Sequence, residues 1–547
     1  MKKNECFDVE ITDMNFLGFG IAKVDGCVLF VSGAVTGDTA RVRVIKVCRT
    51  YAVARTERIL VSSKHRVEDG CAVSAACGGC AFRSVDYAYE RTLKEASVRQ
   101  SFVRQGLREV DVAPLAGDGR VDRYRNKAQY PVRRAADGKL AVGFFAAKSH
   151  RVLACADCPL QNPAFAPIVA EIRAFCEAHE IPAYDEETGH GLLRHIYLRI
   201  GEATGEVMLC LVLCGKSLPH ADEFVARITE KFPAVVSVFL NHNEENTNVV
   251  LGSDFSRLYG KPYIEDILCG VRLCITPQSF YQVNRGAAEL LYGKAAELAA
   301  LTGSETLLDL YCGIGSIGLS MAKHAGRLIG IETVASAVAC AKENAAQNGI
   351  THAAFYCGDA SDTQALLKSA KDAEGDFIPD VVVLDPPRKG CTEQLLADLG
   401  KMGAKKIVYI SCNPETLARD AKFLLSDGWR MGTVYPFDLF CRTGHVETIC
   451  LLSKLNAKQH IEINLDMDEL DLTDAEKKAT YQEIKDYVLE HSGLKVSSLY
   501  IAQVKQKCGI IERENYNKPK SEDAKQPQCP PDKEKAIKEA LTHFGMI

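Results

Sequence analysis

The sequence predicts an α/β protein built around a Rossmann-like, doubly wound domain over residues 276–455. Three observations carry this. The apolar runs TLLDL, RLIGIE, VVVLD, KKIVYIS and HVETICLLS alternate with helical stretches, the pattern of a mostly parallel sheet. A glycine-rich turn, Gly313-Ile-Gly315-Ser-Ile-Gly318, joins the first run to a helix. Hydrophobic residues make up 47% of the chain and charged residues 25%, a globular balance.

The remaining elements follow in chain order, since 547 residues leave room for three or four domains. Residues 1–62 read as a small β-barrel, with short apolar runs separated by turn signals such as Asp25-Gly26 and Gly37-Asp38. ARVRVIKV alternates charged and apolar residues, which puts Arg41, Arg43 and Lys46 on a solvent face. Residues 63–92 hold a tight cysteine cluster. Residues 93–275 mix helices and strands, starting from a helix over Tyr87–Gln105 that crosses the boundary. IYLRI and EVMLCLVL read as a hairpin joined around Gly201–Gly205. Residues 456–547 read as a helical appendage. Thr473 with Glu476 signals a helix start, Gly493 a stop, and Ser497 a second cap. These helices suit either a helix-turn-helix or a plain packing module.

Net charge is −5, which argues against a uniformly basic nucleic-acid coat. Its distribution differs: residues 64–134 carry 14 Lys and Arg against 9 Asp and Glu, whereas 456–547 carry 14 against 17. The 22 cysteines are numerous. The start MKKNECFDVE has no apolar signal core, and no run approaches 18 apolar residues. The expectation is a cytoplasmic, monomeric protein with no membrane span, whose thiols are reduced and serve packing, metal binding or catalysis.

The glycine turn suits a nucleoside ligand, because glycine lets a ligand approach the backbone. Glu332 ends the next strand, placed to accept hydrogen bonds from both ribose hydroxyls. A dinucleotide and S-adenosylmethionine both fit at this point. Asp309 sits badly beside a pyrophosphate but suits an amine, and Asp359 in YCGDA can meet an adenine amino group. VVVLDPPR delivers Asp385 to the ligand-binding edge of the sheet, and KKIVYIS ends at Ser411-Cys412-Asn413-Pro414, so Cys412 reaches the same edge. A thiol there is either a packed core cysteine or a nucleophile. Glu447 precedes the apolar TICLLS and so opens a buried strand, which suits a general base.

Together SCNP, DPPR, DLYCGIG, SFYQVN and GHVET resemble the RNA (uracil-5-)-methyltransferase family, over about residues 5–455. The resemblance implies a class I methyltransferase fold and transfer of a methyl group from S-adenosylmethionine to C5 of a uridine. It implies Gln282, Tyr311, Glu332 and Asp385 at the cofactor, with Gly313, Ser316 and Asp359 lining the same site. It implies Cys412 as nucleophile and Glu447 as base.

The cysteine cluster reads Cys71-x5-Cys77-Gly-Gly-Cys80, with Cys158 in CADCPL. Four thiolates on short turns hold zinc or an iron–sulfur cluster, and the unpaired spacing favours the cluster. Some family members hold a [4Fe–4S] cluster in this arrangement, and the proline after Cys158 makes it a better match than Cys155. GFGIAKVDG, VSGAVTGD and RVRV resemble a TRAM domain, an OB-like RNA-binding barrel. Lys23, Arg41 and Arg43 are candidate phosphate contacts, and Tyr124, Arg125 and Lys127 of YRNK combine an aromatic platform with cations. A TRAM domain with a cluster points to 23S ribosomal RNA as partner, with transfer RNA uridine-54 as the alternative. An RNA cytosine-5 methyltransferase, a radical-adenosylmethionine methylthiotransferase, an NAD-dependent oxidoreductase and a non-catalytic RNA-binding factor fit fewer of these motifs.

Overall fold

The protein is described from a computed structural model, over residues 1–135, 137–245, 249–359, 378–454, 481–508, 529–544 and 546–547. The chain forms two compact units, residues 1–456 and 457–547.

The first unit opens with six strands: β1 (Cys6–Glu10), β2 (Asp13–Met14), β3 (Phe19–Val24), β4 (Cys27–Ser32), β5 (Thr39–Val47) and β6 (Tyr51–Val61), in the order β1-β5-β6-β4-β3-β2. β5 alternates up to Val44: Ala40, Val42 and Val44 are buried, Arg41 is exposed and Arg43 half-buried, and beyond a register shift at Val44–Lys46 the residues Ile45, Lys46 and Val47 are all exposed. Helix α1 (Tyr87–Arg104) follows the cysteine segment, with the Asp86 carboxylate accepting the Tyr89 N–H at 2.9 Å as its N-cap. Val98 and Phe102 of α1 pack into the same core as the C-terminal strands. The helix therefore belongs to that later layer rather than to a central body beginning at residue 93.

The central sheet holds β7 (Lys127–Arg134), β8 (Leu140–Phe145), β9 (Val152–Ala154), β10 (Leu193–Ile200), β11 (Val207–Leu213), β12 (Val235–His242) and β13 (Asp254–Gly260), in the order β13-β12-β11-β10-β7-β8-β9. β10 and β11 pair as the predicted hairpin. Helices α2 (Phe165–Ala178) and α3 (Ala221–Lys231) pack with this sheet in one core. Tyr197, Met208, Cys210 and Phe239 pack instead into the C-terminal domain's core. Both faces are covered, so every residue of β10 and β11 is buried and VMLCLVL shows no alternation.

A hairpin, β14 (Ile264–Leu268) with β15 (Val271–Ile275), leads to helix α4 (Arg285–Ala299). Seven strands then form the C-terminal sheet: β16 (Thr306–Leu310), β17 (Arg327–Glu332), β18 (Ala353–Cys357), β19 (Val381–Leu384), β20 (Lys406–Ser411), β21 (Trp429–Phe437) and β22 (Glu447–Lys454). Their order is β18-β17-β16-β19-β20-β22-β21. The first five run parallel, and β22 runs antiparallel to both β20 and β21. Strand order reverses between β16 and β19, which opens a ligand crevice at their C-terminal ends.

In the second unit, helices Tyr481–Ser492, Ser498–Lys507 and Pro531–His543 share a small core that includes Ile484, Val488, Ile501, Val504 and Ile537. Gly493 turns the chain at φ 68°, and the Ser497 hydroxyl caps the second helix by accepting the Tyr500 N–H. Three mutually packed helices suit both the packing-module and the helix-turn-helix readings. Thr473 and Glu476 lie outside the described residues. No helix among the described residues is long and apolar enough to cross a membrane.

Candidate active site

The crevice is built by the chain turning at the tips of β16, β17, β19 and β20. After β16, Tyr311 takes a left-handed φ of 63°, and Gly313 and Gly315 follow at 55° and 81°. Only glycine adopts those last two without strain. A side chain added at Gly313 would meet nothing within 4 Å, so this backbone lies open to a ligand. Glu332, at the tip of β17, accepts the Gly313 N–H at 3.1 Å and the Val334 N–H at 2.9 Å. The carboxylate is thereby fixed beside the turn, with lone pairs left for further donors. Ser316 begins the next helix, its hydroxyl 3.2 Å from that of Tyr292 on α4. Asp359 lies exposed just after β18. Gln282 is buried, and its backbone C=O accepts the Asn126 side-chain amide at 2.8 Å, tying it to the YRNK segment.

Asp309 does not face a ligand amine as expected. It is fully buried, and one carboxylate oxygen accepts the Gly318 N–H at 2.8 Å, pinning the helix start. The other oxygen is buried without a partner among the described residues. Burial, opposed by that hydrogen bond, raises its pKa to about 7.

On the other side of the crevice stand Asp385, Cys412 and Glu447. Glu447 arrives from a strand running the opposite way: β22 pairs antiparallel with β20, with Thr448 opposite Ser411. The start of β22 therefore meets the end of β20, and Thr448 donates its hydroxyl to the Ser411 C=O at 3.0 Å. Cys412 sits in the turn that follows. The Ser411 hydroxyl accepts the Asn413 N–H at 3.1 Å, Asn413 caps the next helix (Pro414–Ser426), and Pro414 occupies its first turn. Asp385 leads into the Pro386-Pro387 turn. That turn is held from the same helix, whose Arg419 guanidinium donates to the Lys389 C=O at 2.9 Å.

These three acids share one electrostatic field. Burial, with Asp385 nearby, raises Glu447 to about 8, and burial raises Asp385 to about 7. Burial pushes the Cys412 thiol up to about 11, with Glu447 and Asp385 adding to the rise and Arg388 opposing it. Arg388, in the DPPR motif, was not among the candidate residues, although the motif contained the signal. Its guanidinium favours the thiolate, and it lies 3.4 Å from the Nε2 of His445. The signs give a prediction. Glu447→Gln removes a charge that opposes the thiolate, so the pH midpoint for Cys412 alkylation falls; Arg388→Gln raises it. Iodoacetamide labelling followed by peptide mass spectrometry reads both, and unchanged midpoints would refute this electrostatic account.

A cleft of about 910 Å³ runs from this edge to the cysteine segment. Cys71, Cys77, Cys80, Cys155 and Cys158 line one end, and Arg388, Thr443 and His445 the other. The thiols are close enough to oppose one another's ionisation. Cys80 is raised to about 12 by burial, then by Cys158, Cys77 and Cys71. Backbone N–H groups favour individual sulfurs: Gly79 donates to Cys77 at 3.4 Å, and the N–H groups of Leu160 and Gln161 favour the Cys158 thiolate. No three of these sulfurs lie within 4.8 Å of one another.

The expected RNA contacts divide. Arg125 and Lys127 line the cleft, and burial with Arg199 and Arg125 nearby lowers the Lys127 ammonium to about 7. Tyr124 is not an aromatic platform: it is fully buried and donates its hydroxyl to the Cys441 C=O at 2.9 Å. In the barrel, Lys23 is exposed, Arg41 forms a two-pronged pair with Asp8 at 2.7 Å, and Arg43 pairs with Glu57 at 2.5 Å.

The profile of the tRNA (uracil-5-)-methyltransferase family matches residues 271–455, and that of the TRAM domain residues 2–56. An RNA methyltransferase of Bacillus cereus is 39% identical over 456 residues, covering 83% of this chain and 98% of its own. One of Clostridium tetani is 38% identical over 459 residues, covering 84% and 98%. Among solved structures, the tRNA (uracil-54, C5)-methyltransferase of Pyrococcus abyssi, in complex with S-adenosyl-L-homocysteine, aligns with a TM-score of 0.65 at 27% identity. That alignment covers 81% of this chain and 99% of the other.

Proposed function

The chain belongs to the RNA (uracil-5-)-methyltransferase family, and from this we propose that it methylates C5 of a uridine in 23S ribosomal RNA through a covalent Cys412 intermediate. The supporting observation is the meeting of Cys412, Glu447 and Asp385 on neighbouring strand tips, beside a glycine turn open to a nucleoside. Bound S-adenosylmethionine supplies an electrophilic methyl group. Gln282, Tyr311, Glu332 and Asp385 would hold it, with Gly313, Ser316 and Asp359 lining the same site. The Cys412 thiolate adds to uracil C6 and pushes an electron pair towards C5, which is a poor nucleophile without it. C5 would then bond to the methyl carbon as that carbon's bond to the sulfonium sulfur breaks, with S-adenosyl-L-homocysteine as the leaving group. Glu447 then takes the C5 proton, the C5–C6 double bond re-forms, and the C6–S bond breaks to release the thiolate. With Glu447 raised to about 8, the carboxylate form that accepts this proton grows as pH rises through that value. The target uridine must leave its stack to admit attack at C6.

Cys71, Cys77, Cys80 and Cys158 hold a [4Fe–4S] cluster. The unpaired spacing, Cys71-x5-Cys77-x2-Cys80 with a distant Cys158, suits a cluster better than the paired units usual for zinc. The donated N–H groups also suit cluster thiolates. Its role is structural or RNA-facing, since methyl transfer moves no electrons. Iron stoichiometry and the absorption spectrum of anaerobically purified protein test this, and bound zinc without iron overturns it. The protein acts in the cytoplasm as a monomer.

The cleft walls carry Arg83, Arg125, Lys148 and Arg388, so RNA affinity falls steeply with salt. Mapping 5-methyluridine in RNA from a deletion strain tests the substrate, with loss in large-subunit ribosomal RNA expected. Loss confined to transfer RNA would establish the reading that the Pyrococcus abyssi enzyme supports.

A further inference from the structure

Away from the crevice, on the helical layer of the central sheet, His179, His220 and Glu223 bring one ligand atom each to within 4.8 Å of one another. We propose that this trio is a binding site for a borderline divalent cation, Zn²⁺ foremost, clamping the ends of α2 and α3 together.

The donor set selects the ion. Two imidazole nitrogens and one carboxylate oxygen match zinc sites that leave a fourth position for water. Mg²⁺ and Ca²⁺ demand oxygen ligands throughout, which this trio does not offer. The spacing suits a single ion. His179 Nε2 stands 3.2 Å from one Glu223 oxygen, and His220 Nδ1 stands 4.0 Å from the other. Ligands bound tetrahedrally at about 2.0–2.1 Å lie roughly 3.3 Å apart.

The elements carrying these ligands are held rigidly. His179 caps the C-terminus of α2, its ring 4.3 Å from that of the buried Phe175. Phe175 meets Phe224 of α3 edge-on at 5.1 Å, and Glu171 of α2 pairs with both Arg227 and Lys231 of α3. Glu223 lies in the first turn of α3, three residues after His220. The ends of the two helices also offset each other, because the C-terminus of α2 attracts a cation and the N-terminus of α3 repels one.

The backbone at His220 accompanies this arrangement. His220 occupies the N-cap of α3 in a left-handed conformation, φ 57° and ψ 37°, and its side chain makes no capping hydrogen bond. Serine, asparagine or aspartate would cap the helix, and glycine would adopt this φ freely. Histidine here makes no cap, and its ring is turned onto His179 with centroids 4.3 Å apart. Backbone conformations of this kind collect at ligand sites.

The test uses the full-length protein with its cysteine site loaded, so that thiolates do not compete. Co²⁺ titration is expected to fill one equivalent with visible ligand-field bands and no intense near-ultraviolet thiolate band. His220→Gly suits the local φ and keeps the fold, yet it should lose that equivalent, as should His179→Gln. Zn²⁺ should raise the unfolding temperature of the parent protein but not of either variant. The proposal is overturned if both variants keep the equivalent and the thermal shift. It is equally overturned if the parent protein binds Co²⁺ only with a thiolate band.

Discussion

Cys412→Ala loses uridine methylation by roughly 10⁴-fold or more, the scale on which removing a covalent nucleophile acts. Glu447→Gln loses roughly 10²–10⁴-fold, the scale of a general base, but for a different reason. In that variant the thiolate still adds and C5 still accepts the methyl group. The C5 proton then has no acceptor, so elimination stalls with the RNA joined to Cys412. A species carrying protein and RNA that survives denaturing electrophoresis is therefore expected from Glu447→Gln, and none from Cys412→Ala or from the double variant. With 5-fluorouridine in the RNA, the unmodified protein accumulates the same adduct, because fluorine cannot leave as a proton. Its formation should speed up as pH rises, since thiolate is scarce well below a thiol pKa of about 11. Full methylation by Cys412→Ala, or an adduct that persists without Cys412, sinks the covalent route.

Much of this site was legible because it is made of local motifs. A strand, a glycine turn and a helix lie together in 306–321, and each strand ends on a recognisable residue such as Glu332, Asp385 or Cys412. Glu447 was legible because one charged residue opens an apolar run, and β22 begins at that residue. What escaped was set by tertiary packing. β21 hides in WRMGTVYPF, whose burial depends on β22 and whose register slips between Met431 and Val434. YRNK reads as an RNA-binding tetrapeptide, but whether its tyrosine faces outwards depends on a loop more than 300 residues later, where Cys441 accepts its hydroxyl. Asp309 reads as a ligand contact because it precedes a glycine turn, yet the same turn supplies the Gly318 N–H that holds it inside.

The same loop carries the largest expected effect on stability. Lys94 of α1 is fully buried, and its ammonium donates to Glu90 at 2.8 Å, to Asp438 at 2.9 Å and to the Phe440 C=O at 3.2 Å. Arg442 completes the group: its N–H donates to Glu90 at 2.7 Å, and its C=O accepts the N–H groups of Ala81 and Phe82, next to Cys80. One buried cation thus ties α1, the cysteine segment and the loop that delivers Glu447. Lys94→Met leaves two buried carboxylates short of a partner, which costs about 3–5 kcal/mol. The pH dependence follows from the sign of the carboxyl shift. Burial already raises Glu90 above its ordinary value, and losing the ammonium raises it further. A carboxyl raised in the folded state favours folding when protonated, so the deficit is smallest near pH 4.5 and grows as pH rises through the folded value. Denaturant midpoints of the parent and variant at pH 5 and pH 8 measure this. Adding Glu90→Gln and Asp438→Asn to Lys94→Met should recover most of the loss, because no uncompensated charge then remains inside. A deficit under about 1 kcal/mol would show that Lys94 is not what holds the loop, and one equal at both pH values would refute the carboxyl linkage.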